Sequence, residues 1–415
     1  MRSRRLVALL LALAGATGDA SAQGQPGAGG DGATLQVFLM TMGPGEAIYE
    51  RFGHNALWIR DSVAGTDHVY NFGMFDPNVP GFTWNFARGR PEYWLADWDL
   101  ASTMRAYDAA RRQVEVQELA LPDHLKAQLA VRLAENALPA NRGYRYDYYL
   151  DNCSTRVRDA LDAVLGGALR RHTEPVLGEG TYRWHTQRSI SNNPWLYLGI
   201  LAGQGARVDA PLNQWDEMFL PAKLQERLRE LRVVDDRGLE VPLVRREATI
   251  LPHATWQVEA ARPDWTWPLL GVGAALAALI ASGLLAGGAG IAGRVVAAAW
   301  TVVQGVGGLV LAFLWFATEH VMSGNNLNLL LFTPLAFATL WMLWRGTPDG
   351  STERGAGPWA VFAFASVFVG AVMGFFNAGQ QNRELAALMC LPSLAVFVVA
   401  VLLSRRRAAA RPRPR

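Results

Sequence analysis

The sequence holds two cysteines and seven histidines among 415 residues. So few thiols exclude a disulfide framework, and the two cannot pair with each other, because Cys153 lies in the charged first part of the chain and Cys390 inside an apolar stretch. His68, His124, His172, His185 and His253 lack the spacing of metal ligands, so no metal or other cofactor is expected. Charge is nearly missing from Trp265 to Ser404, where it is confined to short breaks between apolar stretches. The net charge of +3 carries no case for nucleic acid either: Arg405, Arg406, Arg407, Arg411, Arg413 and Arg415 follow the last apolar stretch, and the rest of the chain is slightly acidic.

What is present divides the chain by composition. Residues 1–22 run from Arg2, Arg4 and Arg5 through the apolar Leu6–Ala14 to Ala20-Ser21-Ala22, the pattern of a cleavable signal peptide. Residues 23–33 form a Gly-rich leader, and 34–262 an extracytoplasmic domain. A transmembrane region over 265–404 follows, with apolar stretches near 268–290, 294–317, 327–344, 358–377 and 385–403. Five crossings put the Arg-rich tail 405–415 and the breaks with Arg294, Arg345 and Arg354 on the cytoplasmic side. The expectation is a multi-pass protein of a bacterial inner membrane. Glycines in Gly283–Gly293 and Gly305–Gly308 would let helices approach closely, although the first cluster also suits a loop.

Periodicity alone makes the first domain mixed α/β. Leu35–Thr41 is a buried strand, and Asn55–Arg60 and His68–Phe72 form a hairpin about the turn Asp61–Asp67. Asp123–Leu138 and Ser154–Leu165 are helical, the latter with Val157, Leu161, Val164 and Leu165 on one face and Gly166-Gly167 as its stop. Residues 171–235 look helical, and Arg237–Thr249 holds a short strand pair.

Cys153 opens the second helix. A helix start carries partial positive charge, which favours thiolate over thiol and offers backbone N–H groups to an oxyanion; the same inward face suits a buried inert cysteine. His54, at the start of a strand, is its candidate partner, and Asn71 on the neighbouring strand the candidate third group that orients the ring. Asp76 is the reserve for that role, though both residues also suit the turn at Asn71–Pro77. Asn152, Arg156, Tyr146, His320 and Asn328 are further candidates for substrate contact or support of these groups; Arg156 equally fits a paired charge, and His320 and Asn328 fit helix-end caps.

Gly43-Pro44-Gly45, Tyr49-Glu50-Arg51-Phe52-Gly53-His54, Tyr70-Asn71-Phe72-Gly73, Tyr144-Arg145-Tyr146, Asp151-Asn152-Cys153-Ser154-Thr155-Arg156 and Met218-Phe219-Leu220-Pro221 resemble the Lnb family of bacterial lipoprotein N-acyltransferases. Asn325-Asn326-Leu327-Asn328-Leu329-Leu330 followed by Pro334 resembles a motif of its membrane part. More broadly, the His-before-Cys order is similar to that of the circularly permuted papain-like (NlpC-like) group that includes lecithin:retinol acyltransferase. The resemblance implies an α+β permuted papain-like periplasmic domain followed by an all-α five-helix transmembrane domain. It implies acyl transfer from a membrane phospholipid, through a thioester on Cys153, to the N-terminal amine of bacterial lipoproteins, with His54 as base then acid. On that footing Trp84, Tyr93, Trp94 and Trp98 are an acyl groove, a membrane-facing belt or plain core. Two alternatives stay open: a papain-like cell-wall peptidase or amidase using the same residues, and a non-catalytic envelope assembly protein with a structural Cys153.

Overall fold

The computed structural model describes residues 32–254, 257–285, 291–344 and 351–409. The expected signal peptide, nearly all of the leader and the end of the Arg-rich tail lie outside these residues. The chain divides into two compact units, one made of the segments up to Tyr182 and Pro211–Glu259, the other of Arg183–Ala210 and the segment from Ala260 onward. The second unit thus takes a segment from within the span expected to be one extracytoplasmic domain.

The first unit is built on an antiparallel sheet of β1 (Leu35–Met42), β2 (His54–Asp61), β3 (Thr66–Met74), β4 (Glu92–Trp98), β5 (Val114–Leu119), β6 (Gly143–Arg145) and the late strand Val244–Leu251. The late strand takes one edge, and the order then runs β5-β1-β2-β3-β4-β6. Alternate residues serve two cores. Val37, Leu39, Leu57, Ile59, Tyr70 and Phe72 meet the helices Asp123–Ala137, Cys153–Val164 and Pro221–Glu230 through Leu129, Leu133, Val157, Leu161, Leu224 and Leu228. Phe38, Met40, Met42, Trp58, Val69 and Val116 fill the other face beneath Leu100, Met104 and Tyr107 of the helix Leu100–Ala109. Because both faces are covered, β1 is almost wholly buried, which is why its sequence is apolar apart from Gln36 and Thr41.

The expected hairpin is β2–β3, with Leu57 opposite Tyr70 and Asp61 opposite Thr66. Asp61 makes the turn by accepting from the backbone N–H of Val63 (2.9 Å) and Ala64 (3.0 Å). The strand pair expected over Arg237–Thr249 is different. Glu240–Pro242 pairs back onto Arg232–Val234, while Val244–Leu251 joins β5 at the sheet edge, its Arg246 facing the buried Glu118.

In the second unit three helices among the described residues are long and apolar enough to cross a membrane: Ile291–Phe316, Gly357–Phe375 and Arg383–Arg405. The first expected stretch forms the helix Thr266–Leu285. The third is interrupted: a single turn Asn328–Leu331 precedes the helix Ala336–Trp344, and between them Pro334 lacks the N–H that a continuous helix needs. Gly305 and Gly308 do bring segments together, since a Cβ at Gly305 would lie 2.7 Å from the Phe337 ring and one at Gly308 would collide with the Phe332 carbonyl.

Candidate functional site around Cys153

Cys153 begins its helix because Asn152 caps it. The Asn152 side-chain oxygen accepts from the N–H groups of Ser154 and Thr155 (both 2.9 Å), and the Thr155 hydroxyl accepts from Asn152 N–H (2.7 Å). Asn152 Nδ2 donates to the carbonyls of Tyr148 and Phe219, each at 2.9 Å, which ties the helix start to the 218–221 segment. Ser154 Oγ lies 2.9 Å from Asn55 Oδ1 and 2.7 Å from the Met218 carbonyl, and Asn55 Nδ2 in turn donates to Thr41 Oγ1 (2.9 Å). Buried polar residues therefore lock the start of the Cys153 helix against β1 and β2.

The Cys153 sulfur accepts from the backbone N–H of Asn55, the residue after His54. On β3, Gly73 adopts φ +88°, and a Cβ there would stand 3.4 Å from Cys153 Cβ and 3.7 Å from the Tyr146 ring. The Asn71 side chain hydrogen-bonds the His54 ring, while its Nδ2 donates to Val69 O (3.1 Å), leaving the carbonyl for the imidazole. His68 pairs with Asp97 at 2.9 Å. It lies five residues before Gly73 on the same strand, roughly 16 Å away along an extended chain, so it belongs to another part of the sheet.

Electrostatics corrects one expectation. Burial pushes the Cys153 thiol up from its ordinary value, outweighing the N–H groups of Asn55 and Ser154 and the charge of Arg112, so the helix start does not yield a resting thiolate. Burial, with Arg112 adding to it, pushes His54 down to about 3, and the Asn71 hydrogen bond opposes both. At rest Cys153 is a thiol and His54 a neutral imidazole. The expected supply of oxyanion donors is also smaller, since two of the first N–H groups are spent on Asn152.

The remaining candidates separate. Tyr146 borders the thiol and stacks on Tyr93, ring centres 4.2 Å apart. Arg156 is paired with Asp151 (Nη2 to Oδ2, 2.6 Å) and lies over the Tyr144 ring at 4.1 Å. Asp76 serves the turn, accepting from Asn78 N–H at 2.8 Å. His320 and Asn328 belong to the second unit. His320 precedes the single turn Val321–Ser323, and Asn328 is buried, donating to Leu201 O and Ala202 O (3.0 Å each) and accepting from Asn382 (2.7 Å). Its polar atoms are spent inside that unit.

Sequence reasoning passed over Arg112, Glu50 and Tyr107. Tyr107 lies 6.4 Å from the His54 ring, nearly parallel to it, and Arg112 stands over Tyr107 at 5.0 Å. Glu50 lies in the motif Tyr49–His54 with nothing in its spacing to give it a role, and Arg112 is one of several arginines with nothing in its spacing to mark burial. Aromatic rings continue outward from Tyr146 and Tyr93: Phe75 is 4.9 Å from Tyr93, Phe82 5.6 Å from Phe75, and Phe86 6.0 Å from Tyr148. The run ends in the surface helix Phe82–Ala87, where Trp84 is 56% exposed. Of the expected aromatic cluster, Trp94 and Trp98 sit on β4.

Residues 29–192 match the family model of the Lnb N-terminal periplasmic domain, and residues 268–407 that of the Lnb transmembrane domain. No curated protein and no solved structure matches the chain.

Proposed function

The chain belongs to the Lnb family, and on that premise we propose that this membrane-anchored protein is a thiol acyltransferase that moves a fatty acyl chain from a phospholipid to the N-terminal amine of bacterial lipoproteins. The observation that carries the reading is the run of aromatic contacts that starts at Tyr146 and Tyr93 and passes through Phe75 and Phe82 to the surface helix with an exposed Trp84. Aromatic surface of this kind suits an acyl chain, whereas a peptide backbone would need donors and acceptors along its path. The five-crossing topology and the permuted papain-like assignment are part of the same proposal.

The chemistry starts from a neutral pair. As Cys153 Sγ attacks the ester carbonyl, its proton passes to His54, whose ring Asn71 holds in place. The Cys153 N–H and the Tyr144 hydroxyl, buried and with no acceptor for its proton among the described residues, are the donors we assign to the developing oxyanion. Collapse breaks the ester C–O bond, and the imidazolium protonates the departing lysophospholipid oxygen. The acceptor amine then attacks the thioester, gives its proton to His54, and Cys153 leaves as thiolate and recovers that proton.

The test is intact mass of the purified protein, wild type and Cys153→Ala, after incubation with phospholipid and no acceptor. A fatty-acyl adduct on the wild type alone, released by hydroxylamine, is expected. A well-folded enzyme that gains no adduct from any of several phospholipids would sink the proposal and favour either a peptidase or a structural Cys153, which its place in the buried core would suit.

A further inference from the structure

Arg112 has no part in the chemistry above, yet its side chain is only 6% exposed and sits beside the reacting groups. Its Nε donates to Gly43 O (2.8 Å), its Nη1 lies 3.4 Å from Glu50 Oε1, and its face covers Tyr107, the ring next to His54. Gly43 and Glu50 bracket the loop that leads from β1 into His54. The Glu50 backbone carbonyl accepts from the N–H groups of both Gly45 (3.1 Å) and Gly53 (3.0 Å), cinching that loop. Gly53, at φ +82°, makes the last bend before His54, and a Cβ there would lie 2.8 Å from Met42 O. Groups that face the pair include Tyr107 from its helix, Asn71 from β3, Tyr144 and Tyr146 from the segment before Cys153, and Glu50 from the loop; Arg156 is one ring further out, over Tyr144. Arg112 is a cation whose charge reaches both Cys153 and His54.

We propose that Arg112 is a positioning residue of this site: it clamps the loop that delivers His54 and holds a buried positive charge against the Cys153–His54 pair. A cation there stabilises charge growing on the sulfur as the proton leaves, and it makes the imidazolium a strong acid toward the departing oxygen. Glu50 is the counter-charge that lets the guanidinium be buried. The proposal rests on Cys153 being the reactive thiol, and its first readout needs no acyl donor.

In a Cys390→Ala background, so that Cys153 is the remaining thiol, the full chain in detergent micelles is alkylated with iodoacetamide across pH. The neutral pair Arg112→Gln/Glu50→Gln, which leaves no orphaned charge, should raise the alkylation midpoint by about one pH unit. Arg112→Lys should keep the midpoint near that of the parent. It should nevertheless slow acylation by phospholipid about tenfold, because an ammonium cannot hold Gly43 O and Glu50 together as the guanidinium does. An unmoved midpoint in a neutral-pair protein that melts like the parent overturns the proposal. Should that protein fail to fold, Arg112→Lys decides alone, since acylation at the parent rate overturns the clamp. A parent protein that is never acylated tells against the acyl-transfer reading, while the alkylation comparison still judges Arg112.

Discussion

Cys153 at rest is protonated, and the way it titrates follows from its burial. Its alkylation by iodoacetamide should climb through the alkaline range above the ordinary thiol value, with no plateau near neutral pH; a plateau at pH 6–7 would show a pre-formed thiolate. His54 has the opposite sign of consequence. Its folded value of about 3 lies below that of an unfolded histidine, so the unfolded chain binds the extra proton first and the stability due to neutral His54 is lost as pH falls from about 6.5 toward 3. Melting temperatures measured over that window should fall more steeply for the wild type than for His54→Gln, and parallel curves would contradict the buried neutral ring. These two residues and Asn71 were legible in the sequence because strand and helix starts fix where their side chains point. Arg112 was not, since a buried guanidinium is recognisable only by the partners that the fold brings to it from the Gly43–Gly53 loop and from Tyr107.

The start of the Cys153–Val164 helix depends on one residue. Asn152→Ala removes a cap worth about 1 kcal/mol and also leaves the Tyr148 and Phe219 carbonyls without their donor, so thermal melting should show a loss larger than a surface cap alone would give. Gly73 is the second such position. Gly73→Ala must place a side chain at φ +88°, at a cost of about 1–2 kcal/mol, against Cys153 Cβ. The expected outcome is a folded protein whose acyl-adduct formation is slowed, and an unchanged rate would show that the backbone there has room to move. At this scale β1, the β2–β3 hairpin and the two long helices could be read from apolar spacing. β4 and β5 could not, because Asp97 and Glu118 fall where the alternation calls for apolar residues, and the arginines that face Glu118, Arg245 and Arg246, come from Val244–Leu251, far along the chain.

The composition shift near residue 265 identified a membrane region, but it could not show that Arg183–Ala210 packs with that region. Those residues read as soluble because their polar groups are numerous, and the structure shows where they go. Arg183, fully buried, pairs with Asp209 (2.6 Å) and donates to Gly205 O, while Asn326 and Asn328 take the carbonyls of Leu201 and Ala202. The helix Pro194–Gly203 sets Tyr197 and Leu201 among Leu331, Val367 and Leu385. Thr181 and Pro211 are partners across a strand pair, so the chain leaves the first unit and returns to it at one place. A protein ending at residue 259 with 183–210 replaced by a short Gly/Ser linker should therefore run as a monomer on size exclusion, whereas the same span with 183–210 kept should self-associate; identical behaviour would sink this division. The order of synthesis gives that excursion a further consequence. Residues 183–210 leave the ribosome long before the helices between Thr266 and Ala409 exist, so Tyr197, Leu201 and the Arg183–Asp209 pair must wait, uncovered, while the sheet on either side of them is already closing. In a nascent chain halted before residue 260, this excursion is the segment that proteases and holding chaperones would find first.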